Sequence, residues 1–282
     1  MSTESARISG LGINNYIARY GDSHTWLVNP AGMASQEGNQ VIATYGERFS
    51  RNIAGGSVCL TIKNCGLIFD STTVDSIEKR DDSGNYICEE SLQDLNLSAA
   101  YGLQLTSSLA LGAGISILEK NLQGKYSWGA SANLGALYKH SELVSFGVVL
   151  ENLGARSSLN REGNTHMIPL TVRAGCQVSP VKDFYLLGGG SFNGKTGANF
   201  NLGAEYNLLR SVVLRVGYDG GRRSYGPLSA GLGINIQDIC KIDYGFNTHP
   251  ELGYSGVLTV TFHFNMKSSK PVTMPQPPET QP

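Results

Sequence analysis

Apolar residues alternate with small or polar ones along most of the chain. In LALGAGISI, Leu109, Leu111, Ala113, Ile115 and Ile117 share one parity, and Ala110, Gly112, Gly114 and Ser116 share the other. A period of two is the side-chain period of a β-strand. The same split recurs at Leu95 to Leu105, Tyr126 to Tyr138, Val144 to Leu150, Ala198 to Tyr206, Val212 to Tyr218, Leu228 to Ile236 and Leu258 to Phe264. One face is greasy in every one of these segments. The other carries Gly, Ser and Asn with a few charges: Glu151, Arg173, Glu205, Arg215 and Asp243.

A soluble sandwich would bury the apolar face and show Lys, Glu and Thr on the other, with far less glycine. A transmembrane barrel reverses the solvent, so that apolar residues meet lipid and small polar residues line the interior. Strand length agrees with the second arrangement. Tyr126 to Tyr138 makes twelve steps, roughly 40 Å at about 3.3 Å each, and a tilt near 40° brings this to roughly 30 Å across a bilayer. Its terminal aromatics then fall at the two interfaces as girdle residues.

Strands are expected at 41–49, 55–62, 65–71, 92–104, 109–119, 126–138, 143–152, 166–178, 183–193, 198–207, 211–219, 227–236, 240–248 and 255–264, fourteen in all. An even number suits a closed single-chain antiparallel barrel, giving an all-β fold class. Short turns (105–108, 139–142, 179–182, 207–210, 237–240) alternate with longer loops (72–91, 153–165, 219–226, 248–254). Short turns are the periplasmic pattern, which puts both termini in the periplasm. Glu205 and Arg215 flank one such turn at similar distances and are expected at one depth in the lumen. Residues 1–40 lack alternation and hold an Asn29-Pro30 break, while 265–282 form a Pro-rich tail expected to be disordered and periplasmic.

Composition sharpens this picture. Only 16% of the 282 residues are charged, against roughly 25% in ordinary soluble proteins. With Lys+Arg 22 against Asp+Glu 23 there is no basic stripe, and no nucleic-acid partner is expected. No run of 18 apolar residues exists, which excludes a helical span. The first ten residues, MSTESARISG, contain no apolar h-region, so no signal peptide is expected within this chain. Cys59, Cys65, Cys88, Cys176 and Cys240 are scattered without zinc spacing, so neither a metal nor a cofactor is expected. GxSxG, HExxH and complete GxGxxG motifs are missing and the five His are dispersed, so no catalytic residues are assigned and an enzyme is not expected.

At LVNPAGMA (Leu27 to Ala34) and GVLTVTFHF (Gly256 to Phe264), with LGAGISI, ENLG (Glu151 to Gly154) and DYGF (Asp243 to Phe246) between them, the chain resembles the FadL-like superfamily of outer-membrane barrels. Within it, the chain is similar to a bacterial group related to both FadL and the secretion-associated PorV/PorQ proteins. The resemblance implies a bacterial outer-membrane barrel of fourteen strands with an N-terminal hatch, residues 1–40, folded inside the lumen of barrel residues 41–264. Asn29, Pro30 and Ala31 match the family motif. Trp26, Leu27, Val28 and Met33 would then supply apolar contact with a ligand.

Implied too are uptake of hydrophobic small molecules such as long-chain fatty acids, contact with outer-membrane lipid and insertion by the barrel-assembly machinery, while a closed barrel has no sheet edge demanding a neighbour and is compatible with a monomer. Related barrels open laterally at a kink in an early strand, for which Gly55 to Asp70 is the expected place. The alternative is a PorV-like scaffold that holds a cargo protein or host ligand on its outer loops.

Overall fold

The computed structural model describes residues 5–12, 18–20, 22–36, 38–49, 53–122, 125–158, 165–209, 211–221, 228–237, 239–249 and 253–264. The expected tail at 265–282 and the parts 159–164, 222–226 and 250–252 of the expected loops at 153–165, 219–226 and 248–254 lie outside the described residues. No helix among the described residues is long and apolar enough to cross a membrane.

The wall is a closed antiparallel ring of fourteen strands: β1 Asn39–Arg48, β2 Ile53–Ile62, β3 Cys65–Arg80, β4 Tyr86–Gln104, β5 Leu109–Leu122, β6 Lys125–Lys139, β7 Val144–Ser158, then β9 Thr171–Val181, β10 Phe184–Asn193, β11 Gly197–Leu209, β12 Val212–Asp219, β13 Leu228–Ile236, β14 Cys240–His249 and β15 Gly253–Phe264. The remaining strand, β8 (Thr165–Met167), adds three rungs to the end of β7. Each wall strand pairs with its sequence neighbour, and β1 closes the ring on β15 from Asn39↔Phe264 to Glu47↔Gly256. Closure leaves no unpaired edge, which is what a strand structure in lipid requires.

Parity separates the two faces. Leu97, Leu111, Leu134, Phe146, Leu202, Leu232 and Phe262 all point outward and are exposed, as are Tyr126, Trp128 and Tyr138 on β6. What a soluble protein would bury, this barrel displays.

Three expectations are corrected. The expected strand 166–178 is broken at Ile168 to Leu170, because Pro169 has no N–H to give the ladder; β8 stops before it and β9 starts after it. The expected charged loop 72–91 is mostly an extended hairpin, with β3 and β4 running on to Arg80 and Tyr86. Cross-strand pairing such as Lys79 with Glu90 at 2.9 Å accompanies a bulge at Ser76 (φ 56°). Charge made that segment read as a loop, although charged residues pair well on a strand standing clear of lipid. Finally, the Gly55 to Asp70 hairpin shows no break in its ladder: β2 pairs β3 without interruption from Ile53↔Val74 to Ile62↔Cys65.

Bulk apolar packing lies in a different place. Among the described residues the buried apolar clusters all join the N-terminal segment to the inner wall: Ile8 and Leu11 with Leu187; Trp26 and Met33 with Ile42 and Cys59; Ala31 with Ala110 and Leu137.

Candidate functional site

The N-terminal segment contains a short helix α1 (Ala6–Gly10) and two 3₁₀ turns, Thr25–Leu27 and Pro30–Ser35. Helix α1 touches β12 to β15, whereas the second turn touches β4, β5 and β6 across the ring. The segment therefore spans the lumen.

Glycine makes the seat. On β4, β5 and β6, Gly102, Gly112 and Gly135 are consecutive cross-strand partners. A Cβ on Gly112 would collide with the Pro30 and Ala31 backbone, and one on Gly135 with the Asn29 amide and the Pro30 ring. On the far side a Cβ at Gly245 would stand 2.5 Å from the Ala6 carbonyl oxygen. Backbone lies directly on backbone at these places, an approach only glycine permits.

Asn29 fixes the turn. Its Oδ1 accepts from Ala31 N at 3.1 Å as an N-cap, its Nδ2 donates to Ala136 O on β6 at 3.1 Å, and Pro30 opens the turn with its preset φ.

Charge holds the other end. The Glu205 carboxylate, fully buried, accepts from Arg19 Nη2 at 2.7 Å, Arg215 Nε at 2.7 Å and Arg7 Nη2 at 3.3 Å. Arg215 Nη1 also reaches Asp243 Oδ1 at 2.6 Å, and Arg7 Nη2 reaches Asp22 Oδ2 at 2.8 Å. Three guanidiniums thus meet three carboxylates, the balance that makes buried charge tolerable. Burial pushes the Asp22 carboxyl up, but Arg7 and Arg19 outweigh it and hold Asp22 far below the ordinary carboxylate range.

His24, fully buried, sits with Nδ1 3.0 Å from Ser5 Oγ and Nε2 2.9 Å from Thr261 Oγ1. Burial first, then the nearby Arg7 charge, pushes it down to about 3, so the ring is neutral. Backbone anchoring completes this end: Ala6 N donates to Thr259 Oγ1 at 2.8 Å.

Among the described residues, two cavities lie against the segment. Toward the long-hairpin end a space of about 530 Å³ has an apolar floor of Ile8, Trp26, Leu27, Val28 and Pro30 beneath a wall from β3 to β9 that mixes polar and apolar side chains. Toward the short turns a space of about 560 Å³ is lined chiefly by the charged lattice, with Asp183 and Lys241 at its rim.

The candidate residues divide accordingly. Trp26, Leu27, Val28 and Pro30 line the upper cavity. Ala31 and Met33 do not; both are completely buried against the wall, where the glycine seat draws the turn too close for a ligand to reach them. The Asn29 side chain is consumed by its two hydrogen bonds. Glu151 and Arg173 face each other at 3.0 Å in the upper cavity, while Glu205, Arg215 and Asp243 belong to the lower lattice. Sequence reasoning missed Arg7, Arg19, Asp22 and His24, since nothing with a period of two marks them. Their only signal was charge within a segment already expected inside a barrel.

No protein-family model matches the chain, and no curated protein matches it by sequence. Solved structures do. The Pseudomonas putida toluene transporter TodX aligns at TM-score 0.64 with 12% identity, covering 92% of this chain and 98% of that one. A Pseudomonas aeruginosa FadL homologue aligns at TM-score 0.62 with 10% identity over 92% and 98%. The CymD monoaromatic hydrocarbon channel aligns at TM-score 0.55 with 16% identity over 88% and 94%. These likenesses establish a shared barrel fold.

Proposed function

We propose that the protein is a bacterial outer-membrane channel that takes up hydrophobic small molecules without catalysis, with the N-terminal segment as its hatch. The observation carrying this reading is the upper cavity, whose apolar floor is the hatch itself. An apolar ligand resting there gains about 0.8 kcal/mol per buried CH₂ and needs no reaction to be captured. The exposed apolar belt supports residence in a bilayer, and the fold neighbours, a toluene transporter and a monoaromatic hydrocarbon channel, support hydrophobe uptake. Long-chain fatty acids are the cargo that the sequence resemblance implies. The scaffold alternative has no comparable support.

Expression in an outer-membrane host lacking its own hydrophobe channels tests the reading. Radiolabelled oleate or toluene should enter faster than in cells carrying the empty vector. Uptake no faster, with the folded barrel present at the surface, would overturn it.

A further inference from the structure

The upper cavity is built for more than a hydrocarbon. Opposite its apolar floor, Asn96 Nδ2 donates to Asp70 Oδ2 at 2.6 Å, the Ser98 and Ser116 hydroxyls lie 2.8 Å apart, and Asn133 Oδ1 accepts from Asn152 N at 3.0 Å. A cluster of uncharged amides and hydroxyls thus stands in the wall among apolar residues such as Ile68, Leu118 and Ile168, and both kinds of group donate and accept.

The charges there leave no place for an anion. Arg173 is held by Glu151 at 3.0 Å and Lys120 by Asp94 at 2.9 Å. Asp70 adds a further carboxylate, with an amide rather than a cation as its hydrogen-bond donor. A carboxylate headgroup entering the cavity would have to separate one of these pairs and approach Asp70 and Glu151 with like charge, which is costly at low dielectric. A plain alkane would cover the floor and leave the hydroxyl wall facing hydrocarbon, which is unfavourable for polar groups.

We infer that this cavity selects a neutral amphiphile, an apolar chain bearing a hydroxylated head, in preference to a fatty-acid anion or a bare hydrocarbon. The inference rests on reading that cavity as the ligand's resting place. Chain on the floor and head against Ser98 and Ser116 is the orientation the lining dictates.

The two tryptophans make a direct test. Trp128 lies exposed on the outer wall, so W128F leaves Trp26, in the cavity floor, as the single indole reporter. The W128F protein in phosphatidylcholine nanodiscs is titrated at pH 8 with monodecanoylglycerol, decanoate, decylamine and decane, each corrected for partition into protein-free nanodiscs. Monodecanoylglycerol should half-saturate the Trp26 signal at about tenfold lower concentration than decanoate or decane, the yield of one or two net hydrogen bonds. S98A/S116A should abolish that preference while decane binding stays unchanged. Decanoate or decane binding equally well, decylamine binding tightest, or a preference surviving S98A/S116A would each overturn the inference. Saturable decane binding without a headgroup preference would do so while leaving the channel reading standing; loss of cellular uptake as well would remove both.

Discussion

The two anchorages of the N-terminal segment use opposite chemistry. Against β4 to β6 it is held by shape: glycines admit the Pro30 turn, and Trp26, Ala31 and Met33 pack into apolar clusters. Against β11 to β15 it is held by three arginines, three carboxylates and a neutral histidine. Packing contacts fade gradually as groups separate. A charge lattice fails abruptly when one member is lost, because each remaining ion is stranded away from water. The charged end is accordingly the one that conditions can release.

The sharpest way to break this contrast is Glu205→Ala, which removes the carboxylate that Arg7, Arg19 and Arg215 share and leaves three guanidiniums to two carboxylates. It should destabilise the folded barrel by about 3–5 kcal/mol in urea unfolding, the usual cost of breaking a buried ion pair from one side. An unchanged midpoint would mean that solvent already reaches the lattice.

Acid should act on the same end. His24 is depressed from 6.5 to about 3 in the seated segment, so its contribution is complete above pH 6.5 and is lost as pH falls toward 3. Asp22, also depressed, adds a loss in the same direction at still lower pH. Hydrogen-exchange protection over residues 5–12, corrected for the intrinsic rate at each pH, should therefore fall between pH 6.5 and 4, and His24→Gln should remove most of that dependence. An equal fall over 29–35, where no titratable group sits, would show that the two anchorages are not separable.

Gly112→Leu attacks the shape-held end. Overpacking there should cost about 1–3 kcal/mol, and the displaced turn should raise single-channel conductance in planar bilayers. Conductance like the parent's would place the seal at the charged end alone. The mildest change is Asn29→Ala, which removes a cap worth about 1 kcal/mol and should lower the thermal midpoint slightly with the apolar clusters intact.

The sequence revealed the wall better than what it encloses, for a physical reason. Strand pairing imposes a strict period of two, so Leu109 to Ile117 shows which face turns outward without any knowledge of its neighbours. The inward glycines also signalled that something must come close, though which residues did so depended on strands far apart in the chain. Gly112 meeting Pro30 and Gly245 meeting Ala6 are contacts between distant segments that no local pattern encodes. Glu205 and Arg215 could be paired in advance because both lie near one turn. Arg7 and Arg19 could not, since they reach Glu205 across 198 and 186 residues. Pro169 was readable as a ladder breaker, yet the alternation around it concealed the break.

The contact between Ala6 and Thr259 separates the chain's beginning from its end by 253 residues, and so carries an order of events. The first part of the segment to be synthesised acquires its partner only when the last wall strand is in place. Before that moment the Ala6 amide has no hydroxyl to meet and His24 lacks Thr261. These contacts at the charged end therefore wait for β15, and a ring that has not closed there lacks that part of its anchorage.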